Sequence, residues 1–189
     1  EARFEKVLKR NVNGKEYIDL IGGISVANVG HRHPKVIEAI QKQLDAYLHI
    51  MVYGEFVEAP QVQYAKLLAD NLPSSLNCVY FTNSGAEAVE GAMKLAKRVT
   101  NRTQIISFNK SYHGSTQGAL SVMGDEYWRN AFRPLLPNIL HLEYNSYESL
   151  DFITNQTACV IAETIQAEAG IIVPTKEWIH ALRKKCDDT

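Results

Sequence analysis

Short, continuous runs of apolar residues alternate with segments of helical periodicity through the second half of the chain. The apolar runs predict strands at residues 78–81, 104–108, 139–144 and 158–163. The segments between them predict helices at residues 86–98, 115–123 and 176–186, with a helical turn at 147–153. Continuous apolar strands that alternate with helices are typical of a parallel sheet. The pattern therefore predicts an α/β fold with a mostly parallel sheet and helices on both faces.

The first half of the chain has a different pattern, with turns and amphipathic helices. Asn13-Gly14 separates Val12 from the apolar run at residues 17–21, which predicts a β-hairpin. Pro34 is suited to the first position of a helix, and the apolar residues that follow it recur at core-facing spacing. A second helix is predicted from near Pro60 to just before Pro73. A strand and helix segment is therefore expected to precede the sheet.

Composition and charge narrow the class of protein. The 189 residues are 46% hydrophobic and 22% charged, with a net charge of -1, which excludes a disordered chain, a coiled coil and a collagen-like repeat. There is no overall positive field to attract nucleic acid, and no apolar run has the length of a membrane span. We therefore expect a cytoplasmic protein that acts on small molecules, without nucleic acid or membrane partners.

The cysteines and histidines give no sign of a metal site. The three cysteines lie far apart in the sequence and form no CxxC pair, and the histidines lack the spacing of zinc ligands. An odd number of cysteines also argues against a disulfide framework. The sequence predicts reduced, buried thiols and no bound metal.

A first candidate site follows the predicted strand at residues 78–81. Ser84, Gly85 and Ala86 lie between this strand and a helix, the geometry that directs free backbone amides at an anion. Ser84 and Glu87 also match the S-x-x-E pattern of a capping box, so the spacing alone leaves phosphate binding and a plain helix cap both open. The two common nucleotide-binding glycine signatures are missing from the sequence.

Two further groups follow predicted parallel strands, where open α/β sheets bind their ligands. Tyr112, with His113 and Gly114 after it, could stack on a planar ligand; the alternatives are a core tyrosine and a surface histidine. Glu163 ends a predicted buried strand, where a carboxylate is costly unless it is paired. Glu168 on the following loop is either a functional acid or a solvated surface charge.

In this order, the motifs resemble the class III aminotransferases, pyridoxal 5'-phosphate (PLP) enzymes of fold type I. The resemblance rests on the following stretches: Asn83-Ser84-Gly85-Ala86-Glu87-Ala88, Tyr112-His113-Gly114, Glu163-x-x-Gln166-x-Glu168-x-Gly170, residues 22–26, residues 30–34 and residues 91–96. It covers nearly the whole chain. It implies that residues 1–50 form the N-terminal segment of a small domain and a linker, and that residues 51–189 begin the PLP-binding large domain.

The resemblance also assigns roles to residues. Those assigned to cofactor binding are Ser84, Gly85, Ala86, Tyr112, His113 and Glu163. In the family, the amides of the Gly-Ala pair hold the phosphate and the aromatic ring stacks on the pyridine. Residues assigned to the substrate are Glu168, Ile24 and Ser115.

The chain departs from the family pattern at three positions. Ser115 replaces an arginine that grips a substrate carboxylate in acetylornithine, ornithine and 4-aminobutyrate enzymes, and a serine cannot form that bidentate, charged contact. Thr164 and Ala167 replace a proline and a glycine but leave Glu163 and Glu168 in register. The departure at Ser115 puts those three specificities in question and leaves the reaction class unchanged.

The resemblance implies transfer of an amino group from an amine or ω-amino acid to a 2-oxo acid, by a homodimer. It also implies that the Schiff-base lysine and the aspartate that pairs with the pyridinium nitrogen lie beyond residue 189. This agrees with the helical pattern, because a crossover helix at 176–186 calls for another strand. We therefore interpret the chain as an N-terminal portion, inactive by itself. The alternatives are a PLP-dependent aminomutase of the same fold and a non-catalytic phosphate-binding α/β module.

Overall fold

The structure is a computed structural model that describes residues 8–10, 12–51 and 56–189. The chain divides into two compact units, Glu1–Val79 and Tyr80–Thr189. The domain boundary expected after residue 50 stays a prediction. In the ranges that the structure describes, no helix combines the length and the apolar character needed to cross a membrane.

The first unit contains a hairpin and two regular helices, as the sequence predicts. Strands β1 (Leu8–Arg10) and β2 (Glu16–Ile18) pair antiparallel around Gly14, whose φ of 77° suits a tight turn. A short element, α1 (Gly22–Ser25), has left-handed backbone angles at Ile24. Two longer helices follow, α2 (Pro34–Ala46) and α3 (Ala59–Asn71), each with a proline in its first turn.

The second unit contains a parallel sheet of three strands in the order β4-β3-β5. The strands are β3 (Gln104–Phe108), β4 (Ile139–Leu142) and β5 (Thr157–Val160). The helices are α4 (Gly85–Thr100), α5 (Gln117–Val122), α6 (Glu126–Arg129) and α7 (Lys176–Asp187). Two 3-10 turns lie at Asn130–Phe132 and Glu148–Phe152. The predicted α/β fold is confirmed, whereas no pattern in the sequence predicted α6.

Alternate residues of β3 pack into two separate apolar clusters, because successive side chains of a strand point to opposite faces. Ile105 packs with Met93 of α4 and Val122 of α5. Ile106 belongs to the other cluster, with Trp178 of α7. Helices therefore cover both faces of the sheet, and the carboxyl ends of its strands meet at one edge.

Two predictions from the sequence are wrong. Residues 78–81 form no strand, and Tyr80 is 88% exposed. A strand is made by hydrogen bonds to a neighbour, and in the part of the chain that the structure describes no strand pairs with this segment. Cys78, in the same segment, is exposed rather than buried, whereas Cys159 and Cys186 are partly buried.

Candidate active site

The N-terminus of α4 combines a helix cap with two amides that the helix does not use. Ser84 is the N-cap, and its Oγ accepts a hydrogen bond from Glu87 N at 3.1 Å. The first intrahelical bond runs from Ala88 N to Ser84 O at 3.1 Å, so the amides of Gly85 and Ala86 precede the helical pattern. The two interpretations of this motif are therefore compatible, because the cap uses one amide and leaves two for an anion.

The carboxylate of Glu87 completes the helix cap, but it bonds to a different amide from the one used in a standard capping box. Its Oε2 accepts from Asn83 N at 2.6 Å, one residue before the N-cap. The contact turns the chain sharply into α4. It also adds a negative charge to the first turn of the helix, where the dipole favours one.

A close approach of Gly114 to α4 brings the first two motifs together. Gly114 has a φ of 124°, and a Cβ atom built on it would lie 2.7 Å from the Cβ of Ala86. Any larger residue at 114, or a bulkier one at 86, would push the loop after β3 away from the helix. The glycine and the alanine of the two motifs are thus explained by one contact.

The approach forms a cavity of about 730 Å³, within the range usual for small-molecule sites. Its lining residues are Ser84, Gly85, Ala86, Val89, Tyr112, His113, Gly114, Ser115 and Thr116. Tyr112 is 44% exposed, so it is not a core tyrosine, and its hydroxyl lies 3.4 Å from Ser115 Oγ. The cavity therefore presents an aromatic ring, free amides and hydroxyl groups.

Glu163 links the loop after β5 to the loop after β3. Its Oε1 accepts from Tyr112 N at 2.8 Å, and its Oε2 accepts from Ala167 N at 3.3 Å. The carboxylate is half-buried and paired with backbone amides, as the cost of burying an unpaired charge requires. Glu163 is not among the residues that line the cavity, and its carboxylate contacts Tyr112 and Ala167, so its assignment to cofactor binding stays a prediction.

The surroundings of His113 and His141, near the carboxyl ends of the strands, lower the pKa of both side chains. Burial lowers the pKa of His113, and the charge of Glu163 opposes that shift in part. Its Nε2 is buried and makes no hydrogen bond in the described part of the chain, which excludes an ordinary surface histidine. Burial and the neighbouring Arg129 lower the pKa of His141 to about 4.

The remaining predicted site residues are placed as follows. Ser115 lines the cavity. Glu168 is exposed on the loop after β5, and Ile24 belongs to the first unit, so their assignment to the substrate stays a prediction.

The residues that line the cavity include no lysine or arginine. Arg129 is buried, with Nη1 2.6 Å from His141 Nε2 and a salt bridge to Glu126.

Glu90 of α4, which no sequence motif indicated, holds the end of the Tyr112 loop where it enters α5. Its Oε1 accepts from Thr116 Oγ1 at 2.6 Å, from Gly118 N at 2.8 Å and from Ala119 N at 3.1 Å. This acid of α4 therefore caps α5, which has no cap from its own N-cap side chain. The sequence does show a carboxylate one helical turn after Ala86. Its partners are 26 to 29 residues further along the chain, so they could not be inferred from the sequence.

Comparison with known proteins gives the family. The model of the class III aminotransferases matches residues 3–189. The chain belongs to this family. The resemblance seen in the motifs is confirmed.

Individual relatives agree with the family. The chain is 42% identical over 178 residues to an acetylornithine aminotransferase of Methanopyrus kandleri, a match that covers 93% of the chain and 45% of that protein. An adenosylmethionine-8-amino-7-oxononanoate aminotransferase of Methanocaldococcus jannaschii has a similar structure, with a TM-score of 0.87 and 33% identity over 96% of the chain and 45% of its own.

A third relative was solved with ligands. This taurine:2-oxoglutarate aminotransferase of Bifidobacterium kashiwanohense, in complex with PLP and glutamate, has a TM-score of 0.82 and 28% identity, covering 97% of the chain and 46% of its own. The class III aminotransferase chain described here therefore spans about half the length of the proteins it matches.

Proposed function

We propose that the protein containing this chain uses PLP to transfer an amino group from an amine or ω-amino acid to a 2-oxo acid. The observation that carries the proposal is a cavity lined both by Gly85 and Ala86, whose amides the helix does not use, and by Tyr112. PLP requires these two features, an anion site for its phosphate and a flat surface for its ring. When bound, PLP supplies an electron sink for the amino group's carbon.

The residues present fit the cofactor. The amides of Gly85 and Ala86 stand at the positive end of α4, and a Cβ at Gly85 would meet no atom within 4 Å, so the approach to the backbone is open. The half-exposed ring of Tyr112 is free to stack on a pyridine. Burial lowers the pKa of His113, which disfavours a positive charge on the residue that follows Tyr112 in the chain.

The class of amino donor is proposed from the absence of an arginine or lysine among the residues that line the cavity. Ser115 occupies the position where the resemblance expects an arginine, and no cation lines the cavity among the described residues. A carboxylate at this place would lose its charge-assisted hydrogen bonds, worth about 1.5–3 kcal/mol. We therefore propose a donor without a carboxylate at this position, although the Methanopyrus kandleri relative is named for acetylornithine.

The experiment uses the full-length protein with a series of donors and a 2-oxo acid acceptor. We expect a primary amine to be used better than acetylornithine or 4-aminobutyrate, and Ser115→Arg to improve the last two by roughly 10- to 150-fold. Better use of acetylornithine by the unaltered protein would contradict the proposed donor class.

The same experiment separates the alternatives. An aminomutase would give product without the 2-oxo acid, and a phosphate-binding module would bind PLP and nucleotides without any turnover. Borohydride reduction of the PLP-loaded protein, followed by peptide mapping, tests whether the catalytic lysine lies beyond residue 189. The homodimer, the cytoplasmic location and the inactivity of the 189-residue chain also stay predictions. Sedimentation of the full-length protein tests the homodimer, and an activity assay of the isolated chain tests its inactivity.

A further inference from the structure

Tyr144 is a partly buried tyrosine beside the loop after β5. Its ring packs edge-on against Phe108 at 5.5 Å and Trp178 at 4.9 Å between ring centroids, and these two residues are each only 1% exposed. Its hydroxyl donates to the carbonyl of Glu163 at 2.8 Å and lies 3.3 Å from that of Thr164. Because the ring is held on two sides, the hydroxyl is a fixed point for the backbone that carries Glu163.

Gln166 makes a second connection, independent of the first. Its side chain is fully buried, and its Nε2 donates to the carbonyl of Asn109 at 2.9 Å. Its own backbone is paired in both directions with Ile172, at 3.1 and 3.0 Å. Asn109 is the first residue after β3, so this bond joins the start of the Tyr112 loop to the Glu163 loop.

Both connections lie beyond the ends of the strands. The ladder between β3 and β5 ends with the bond from Ile161 N to Ile106 O, so the sheet does not pair the two loops with each other. Backbone bonds hold the loop after β3 only as far as Ser111, whose carbonyl accepts from Gly124 N at 2.9 Å. The carboxylate of Glu163 then reaches from one loop to the other and accepts from Tyr112 N at 2.8 Å. From Tyr112 onward, the position of the loop therefore depends on this side-chain contact with the Glu163 loop.

We infer that Tyr144 and Gln166 are positioning residues, which hold the loop at residues 163–167 against the loop at residues 109–115 and so fix Tyr112 beside the N-terminus of α4. The inference rests on the proposed function in that Tyr112 is the residue that stacks on PLP. Neither positioning residue lines the cavity, so each acts through Tyr112.

The test compares two tyrosine variants of the full-length protein. Tyr144→Phe removes the hydroxyl and keeps the ring, and Tyr147→Phe, at a nearby tyrosine that is 56% exposed, is the matched control. In the PLP-free protein, amide hydrogen exchange of residues 109–116 should rise in Tyr144→Phe and not in the control, while exchange within α4 stays unchanged. The dissociation constant for PLP should rise roughly three- to tenfold, as expected for one lost hydrogen bond.

A spectroscopic signature distinguishes positioning from general stability. The circular dichroism band of bound PLP depends on how the ring is held, so it should weaken in Tyr144→Phe at a melting temperature close to that of the control. Exchange of residues 109–116 equal to that of Tyr147→Phe would overturn the inference. A uniform rise in exchange over both α4 and the loops would overturn it as well, because it would show a general loss of stability.

Gln166→Met provides a second variant, since methionine keeps the length of the side chain and removes the donor. Exposed Gln156→Met is its control. The same local rise in exchange is expected, and its absence would remove Gln166 from the inference. Tyr112→Leu separates the inference from the proposed function: if it leaves PLP affinity unchanged while Tyr144→Phe still loosens residues 109–116, the stacking role fails and the positioning role stands.

Discussion

Two regions of the second unit face the same cavity and are held in different ways. The turn before α4 is built by contacts within a few residues, such as Ser84 Oγ with Glu87 N. The loop that carries Tyr112 is held by Glu163, 51 residues further along the chain, and by Gly114 against Ala86. The first region is therefore a local structure, and the second depends on the sheet and its connections.

The difference bears on which part of PLP each region serves. The phosphate is proposed to bind backbone amides, whose direction follows from the helix itself. The ring is proposed to lie on Tyr112, whose place depends on distant partners. We therefore expect phosphate affinity to survive changes that disturb the ring site, and the following predictions test that expectation.

The largest effect is expected at Gly114, where the two regions meet. Gly114→Ala should lower the free energy of unfolding by about 2–4 kcal/mol, because the new Cβ meets Ala86 and the backbone has a positive φ. Gly170→Ala is the control, since Gly170 has a φ of 102° and open space around it, so only the backbone strain of about 1–2 kcal/mol remains. Urea unfolding measures both; equal losses would show that the contact with Ala86 is unimportant.

The next effect is expected at Gly85, which tests the local region. Gly85→Val should weaken PLP binding by roughly 10- to 150-fold, because a branched side chain blocks the approach of the phosphate to the amides. Gly91→Val, in the middle of α4 and also in open space, should leave the affinity unchanged. Fluorescence titration with PLP measures both variants. An unchanged affinity in Gly85→Val would contradict the phosphate assignment.

A smaller effect is expected from the helix cap. Ser84→Ala should lower the free energy of unfolding by about 1 kcal/mol and also weaken binding of inorganic phosphate, because the cap orients the first turn of α4. Thr175→Ala removes the equivalent cap of α7, where Thr175 Oγ1 accepts from Trp178 N at 3.2 Å. Thr175→Ala should lower the free energy of unfolding by a similar amount and leave the binding of inorganic phosphate unchanged. Parallel loss of phosphate binding in both variants would show that the turn before α4 is not independent.

The smallest effect is expected from pH, through His141 of β4, a long-range partner of Arg129. The pKa of His141 is lowered to about 4 in the folded protein, so the unfolded chain takes up the proton first as the pH falls below its ordinary value of 6.5. The stability that this residue contributes is complete above pH 6.5 and is lost between pH 6.5 and about 4. Between pH 7 and pH 6 the loss is at most about 0.7 kcal/mol, because over this interval the unfolded histidine binds on average about half a proton and the folded one almost none.

Urea unfolding at these two pH values tests the assignment. His141→Asn should remove this part of the pH dependence, and His180→Asn, at an exposed histidine of α7, should not. Identical pH profiles for His141→Asn and the unaltered protein would mean that His141 is not the group that titrates.

Much of the second unit was predictable because its signals are local. The helices at α4 and α7 begin at capping residues and show apolar periodicity, and β3, β4 and β5 are continuous apolar runs. The cap at Ser84 was predictable for the same reason, and the anion site beside it stays a proposal. The strand expected at residues 78–81 failed because an apolar run shows only that a segment suits a sheet, and pairing needs a neighbour.

The sequence by itself determined the helices, the strand-forming runs and the motifs that identify the family. Only the tertiary structure decided that Glu163 holds the amide of Tyr112, that Gly114 packs on Ala86 and that Glu90 caps α5. The physical reason is the range of the contacts. A cap or an apolar face is set by residues a few positions apart, whereas a contact between two loops depends on the register of the strands that carry them, and no short stretch of sequence encodes that register.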